Sequence, residues 1–128
     1  SATLDIFKSK IVKPSKCKDI YMYGCRKYAM IHAQLRMKCS NLKAHLYALH
    51  VSDDEFCMCG YKCEDSRHFL LYCPMYHDIR NSLMTFCNDN DIEFDLENLL
   101  YGKDEIDYDV NKSLFKEVQF FIEMSRRF

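Results

Sequence analysis

Four side chains near the middle of the chain limit its fold more than anything else in it. Cys57 and Cys59 stand one residue apart, His68 follows after eight more, and Cys73 after another four. The pattern Cys-x-Cys-x8-His-x4-Cys puts three thiols and one imidazole within 17 residues. That is a complete tetrahedral ligand set for one zinc ion. Gly60 allows the backbone to fold back behind the first pair. The spacing from His68 to Cys73 suits one face near a helix end, just before Pro74 breaks the turn. A loop then supplies two ligands and a helix the other two.

The competing reading takes these cysteines as small buried apolar residues. Four thiols in so short a window, counting Cys63, weigh against it. Zinc is favoured over an iron–sulfur cluster because one ligand is histidine and the spacing is irregular. Cys63 leaves the assignment open, since Cys59-x3-Cys63 is also a sensible pair. Four protein ligands close the coordination sphere, so such a site stabilises structure and has no open position for hydrolysis.

A chain of 128 residues with 48% apolar residues is expected to form one domain with an ordinary core. No run approaches the roughly 18–20 apolar residues a membrane span needs. The charged N-terminus lacks the apolar core of a signal peptide, and a start at Ser1 suggests a fragment. The eight cysteines are therefore expected to be reduced, in an intracellular protein, nuclear or cytoplasmic, rather than paired as disulfides.

The net charge of −1 hides an asymmetry. Residues 1–50 hold ten Lys/Arg against Asp5 and Asp19; residues 51–128 hold eight basic and seventeen acidic residues. The basic half is a candidate polyanion surface, unless the two halves neutralise one another in the fold. Arg26, Lys27, Arg36, Lys38 and Lys43 lie on or beside a predicted helical hairpin, interleaved with Tyr21, Tyr23 and Tyr28. Cations contact phosphates and aromatic rings stack on unpaired bases. The plainer alternative is a solvated helix face with tyrosines in the core.

The predicted fold is mainly α: a small helical domain with a zinc-stapled cysteine loop between helices. Residues 1–20, Lys-rich and interrupted by Pro14, read as a basic arm or linker, and residues 21–128 as a single helical zinc-binding domain. Gly24 is a plausible helix start. Tyr28, Ile31, Leu35 and Cys39 recur at helical spacing over residues 25–38. Ser40 or Asn41 is the expected cap of a second helix, with Leu42, Leu46 and Leu49 on one face, ending near His50. Asp65 or Ser66 caps the helix carrying His68, Leu71 and Tyr72. A helix over residues 75–86 buries Ile79, Leu83 and Phe86. A polar acidic loop over 88–95 leads to a short helix with Leu96, Leu99, Leu100 and Tyr101, stopped by Gly102. A second acidic loop covers 103–109. A last helix carries Leu114, Phe115, Val118, Phe121 and Ile122 as a core stripe and stops at Arg126-Arg127, where cations suit the negative helix end.

Residues 35–46, then Cys57-Met58-Cys59-Gly60, then residues 64–76 (including His68, Cys73, Pro74 and Tyr76) together resemble the C-terminal zinc-binding region of non-LTR retrotransposon reverse transcriptases. Tyr23-Gly24-Cys25-Arg26-Lys27-Tyr28 upstream, and Leu99-Leu100-Tyr101-Gly102 and Arg126-Arg127-Phe128 downstream, resemble the same tail. The likeness covers roughly residues 20–128. It implies zinc on Cys57, Cys59, His68 and Cys73, with Cys63 as an extra thiol. It also implies a place behind a polymerase domain, helping to hold element RNA or target DNA during reverse transcription.

The polymerase itself is not expected in this chain. The one Asp-Asp pair, Asp53-Asp54, lies in a polar turn and lacks the Tyr/Phe-x-Asp-Asp strand context. His45, His50 and His77 have no catalytic partner at a suitable spacing, and Cys17, Cys25, Cys39 and Cys87 read as packing or surface thiols. The expected partners are RNA or DNA and the upstream reverse transcriptase domain, with no membrane and no small-molecule substrate. The alternative is a zinc-stabilised interaction module that docks on the polymerase or on a host partner, including a domesticated host protein.

Overall fold

The computed structural model describes residues 26–128. The arm at 1–20, the boundary at 21, Gly24 as a helix start, and Cys17, Cys25, Tyr21 and Tyr23 lie outside them. The described residues are mainly helical and contain no strand. Helix α1 spans Arg26–Met37 and α2 Lys43–Ala48. A loop runs to a π-helical turn at His68–Tyr72 and a 3-10 turn at Pro74–Tyr76. Helices α3 (His77–Asp89), α4 (Leu96–Tyr101) and α5 (Tyr108–Ser125) complete the chain.

Helix α5 organises the rest. Its stripe Leu114, Phe115, Val118, Phe121 and Ile122 is buried throughout. It packs along α3 and α1, and α4 fills the end of that layer. Each of these side chains removes enough apolar surface to contribute roughly 1.5–3 kcal/mol. Phe69, fully buried, sits at the junction with the segment that carries His68 and Cys73. The rings of Tyr76, Phe121 and Phe128 meet it edge-on at 5.2, 5.3 and 5.4 Å between centroids. That arrangement suits the aromatic quadrupole.

Three local expectations change. Helix α1 stops at Met37 because Lys38 adopts a left-handed conformation with φ 58°, and Cys39 is therefore exposed rather than on the buried stripe. Helix α2 ends at Ala48, and of its expected apolar face only Leu42 is buried while Leu49 is 61% exposed. Its start is capped from a distance. Ser40 Oγ accepts the Leu42 amide at 3.1 Å, but the Lys43 amide goes to Glu64 Oε1 at 2.9 Å and the Ala44 amide to the Glu64 carbonyl at 3.0 Å. A helix of six residues cannot stand without such partners.

Gly102 is required where it stands. Its φ of 78° and ψ of −174° belong to a region almost restricted to glycine. A Cβ there would also lie 2.8 Å from Asn111 Oδ1. The buried Asn111 amide instead closes the α4–α5 connection, accepting the Lys103 amide at 2.9 Å and donating to its carbonyl at 2.8 Å. At the far end Arg126 takes a left-handed conformation and turns the chain out of α5. Arg127 and Phe128 thereby fold back onto Glu64 and Phe69.

Candidate metal centre

The loop at 57–61 is a tight hydrogen-bonded turn. The Cys57 amide donates to the Tyr61 carbonyl and the Gly60 amide to the Cys57 carbonyl, both at 2.9 Å. Gly60 takes φ 100° to make that reversal. It brings Cys57 and Cys59 to face the segment that starts at Asp65. There, Asp65 Oδ1 accepts the His68 amide at 2.8 Å, the N-capping expected of this residue. The turn is wider than an α-helix, and the Cys73 amide closes it on the His68 carbonyl at 2.7 Å. The extra residue per turn suits a ligand pair five positions apart, which ideal α-geometry would place about 140° around the axis.

The ligand atoms of Cys57, Cys59, His68 and Cys73 all lie within 4.8 Å of one another. Cys57 Sγ and Cys73 Sγ are 3.7 Å apart, and Cys59 Sγ is 3.3 Å from His68 Nε2. A tetrahedron with Zn–S bonds near 2.3 Å and a Zn–N bond near 2.0–2.1 Å has edges of about 3.5–3.8 Å. The donor set thus fits a metal ion of this kind. The sulfurs are far from the ~2.05 Å of a disulfide, and each described cysteine is a free thiol.

Burial pushes the Cys57 thiol up to about 12 and raises that of Cys73. Burial also opposes ionisation of Cys59, but hydrogen bonds from the Tyr61 backbone and from Cys57 outweigh it and lower its pKa. Burial lowers the pKa of His68, against Asp65 and Glu64, and so favours the neutral imidazole a metal needs. Loading a metal ion on this set must displace thiol protons.

Cys63 is not part of the cluster. It faces Glu55 and Asp65, and burial together with those carboxylates pushes its thiol up to about 12. It lines a separate groove of about 650 Å³ with His45 and Arg67.

Several residues that support the centre carry no sequence signature. The Tyr61 ring stacks on the His68 imidazole, with centroids 4.5 Å apart and planes 8° from parallel. Arg80, from α3, donates to the carbonyls of Leu70 and Phe69 at 2.8 and 3.0 Å, inside the turn that links His68 to Cys73. Glu64 is buried and receives a two-pronged contact from Arg127, Nε to Oε2 and Nη2 to Oε1, both 2.8 Å. Burial opposes the Glu64 charge, but Arg127 and the Lys43 amide hold its carboxyl below the usual range. A long-range pair such as Glu64 and Arg127 gives no periodic signal; only the local patterns at Asp65 and Gly60 are visible in sequence.

The five basic residues expected to meet a polyanion separate in the structure. Arg26, Lys27 and Lys38 are exposed. Lys43 pairs with Asp54 at 3.4 Å. Arg36 corrects the expectation of a phosphate contact: it is 5% exposed, donates to the Leu100 carbonyl and lies over the Phe115 ring at 5.5 Å. The apolar packing of α1 against α4 and α5 draws its guanidinium inward. Lys27 lies over the Tyr28 ring at 5.6 Å.

Among the described residues no helix is long and apolar enough to cross a membrane. Comparison of the chain with protein-family models, curated proteins and solved structures finds no match.

Proposed function

We propose that Cys57, Cys59, His68 and Cys73 hold a structural zinc ion, and that the chain is the C-terminal zinc-binding module of a retroelement reverse transcriptase. The observation that carries the metal reading is the approach of all four ligand atoms to within 4.8 Å. The ion ties the 57–61 turn to the His68–Cys73 turn, and so fastens that turn to the core that Phe69 and Leu70 enter. Four protein ligands complete the sphere, which gives the centre a structural role and no catalytic step.

The role in holding RNA or target DNA rests on the resemblance and on the exposed cations Arg26, Lys27 and Lys38. Cations of this kind release counterions when they meet phosphates, so binding must weaken steeply with salt. A gel shift with single-stranded RNA and DNA across a salt series tests it. The expected result is a negative salt slope that becomes shallower in Lys27→Glu and Lys38→Glu. A slope unchanged by both substitutions contradicts it. Arg36 is unsuited to that test because its reversal would place an anion in the core.

A second reading, a module that docks on the polymerase or on a host protein, is favoured by one feature. Met58, Tyr72, Phe56 and Met75 are 90%, 64%, 58% and 52% exposed around the metal centre. Apolar side chains so gathered suit a protein partner. Pull-down with the upstream polymerase fragment separates the two: capture without salt-dependent RNA binding favours docking.

A further inference from the structure

Arg80 is a buried cation. It is 3% exposed, at the first turn of α3, and its guanidinium lies over the Phe121 ring at 5.5 Å. Its donors go to neutral groups, the carbonyls of Leu70 and Phe69. Among the described residues it forms no ion pair with a carboxylate. A guanidinium in such surroundings is costly unless an anion stands near it. The carbonyls that hold it belong to the first two residues after His68, inside the segment that runs to Cys73.

The metal reading supplies the missing anion, and the role of Arg80 rests on that reading. A divalent ion held by three thiolates and one neutral imidazole carries one net negative charge. Its field is strong in a site where Cys57 and Cys73 are buried. The geometry points to Arg80 as the counter-charge of the loaded centre: a positioning residue that holds the His68–Cys73 turn by its carbonyls and offsets the negative charge of the thiolate-bound ion.

The two contributions are separable. Arg80→Gln retains donors for a carbonyl but removes the charge; Arg80→Lys retains the charge but loses the planar fork. Cys59→His makes a site of two thiolates and two imidazoles, which is neutral when loaded. Zn²⁺ affinity is measured by competition with a chromophoric chelator, and Co²⁺ absorption reports the thiolate ligands.

Loss of the supporting charge is expected to weaken Zn²⁺ binding about 10–100-fold in Arg80→Gln. Arg80→Lys is expected to keep most of the affinity, and Arg80→Gln to cost much less in the Cys59→His background. Equal losses in the Gln and Lys variants, or the same Gln penalty in both backgrounds, would overturn the role. If Arg80→Gln does not fold, the Lys variant decides: affinity retained supports the role, and a tenfold or greater loss contradicts it. Failure of the unsubstituted chain to bind either ion removes the centre itself and Arg80's role with it. That outcome is distinct, because it shows before any substitution is made.

Discussion

Glu64 does more than its place in the sequence suggests. One carboxylate and its own carbonyl satisfy two amides of α2, while the same carboxylate holds Arg127 from the far end of the chain. Arg127 also donates to the Asn41 carbonyl at 3.0 Å. Removing one member of a pair this buried leaves the other uncompensated, at a cost near 3 kcal/mol. Arg127→Met is expected to lower the midpoint of urea unfolding accordingly. The sign of the pH effect follows from Glu64, whose carboxyl is held below its ordinary 4.5 in the fold. The pair contributes fully above that value and its contribution is lost as pH falls through the folded pKa. Stability of Arg127→Met should therefore fall less than that of the unsubstituted chain between pH 5 and 3 (roughly the carboxylate range). Parallel curves would contradict the assignment.

Among the elements, α5 was legible with its buried face, whereas α2 was legible as a helix but not in its buried face or in what fixes it. The stripe from Leu114 to Ile122 has helical periodicity strong enough to settle its core face without tertiary information. The Leu42, Leu46 and Leu49 repeat has the same periodicity on too short a helix, and what fixes α2 is Glu64, 21 residues from Lys43. The π-turn, closed by the Cys73 amide on the His68 carbonyl, is likewise not encoded by propensity. Gly102 was expected as a helix stop, and its reason is now steric. Gly102→Ala should destabilise by about 1–3 kcal/mol, from φ strain and the Asn111 contact, in a thermal melt. A change within a few tenths of a kcal/mol, the scatter of an indifferent surface site, would show that the connection relaxes at no cost.

Helix α1 holds a further polar anchor. His32 is fully buried, donates Nε2–H to the Leu99 carbonyl at 2.8 Å, and meets the Gln119 amide at 3.3 Å through Nδ1. Burial and then Arg36 drive its pKa well below 6.5, so it is neutral in the fold. The unfolded chain binds the proton first. Stability is thus unaffected by this group above 6.5 and falls as pH drops below it. His32→Gln, which keeps a donor for Leu99, should flatten the decline of the unfolding midpoint between about pH 6.5 and 5. An unchanged decline would assign it to other groups.

At the scale of the molecule, α1, α3, α4 and α5 form a helical layer whose apolar core is shared with the cysteine segment through Phe69, Leu70 and Tyr76. The four clustered side chains stood out by their short-range spacing, with Cys63 as a competitor until the fold set it apart. Arg80, Tyr61 and Arg127 did not, because they reach the centre through folding. The charge asymmetry of the sequence divides in the fold: Arg26, Lys27 and Lys38 are exposed, Arg36 lies inside and Lys43 is paired. Chelation of the metal should release the cysteine segment before the layer. Hydrogen exchange is expected to accelerate over residues 55–73 while α3 and α5 stay protected. Loss of protection everywhere at once would make the metal part of the global fold.

Elemental analysis of the purified chain decides whether the metal is there. One zinc per chain is expected, lost when Cys57, Cys59, His68 or Cys73 is replaced singly and retained when Cys63 is. A chain without stoichiometric metal, or one that loses its zinc on replacement of Cys63 and keeps it without Cys57 or Cys59, would contradict it.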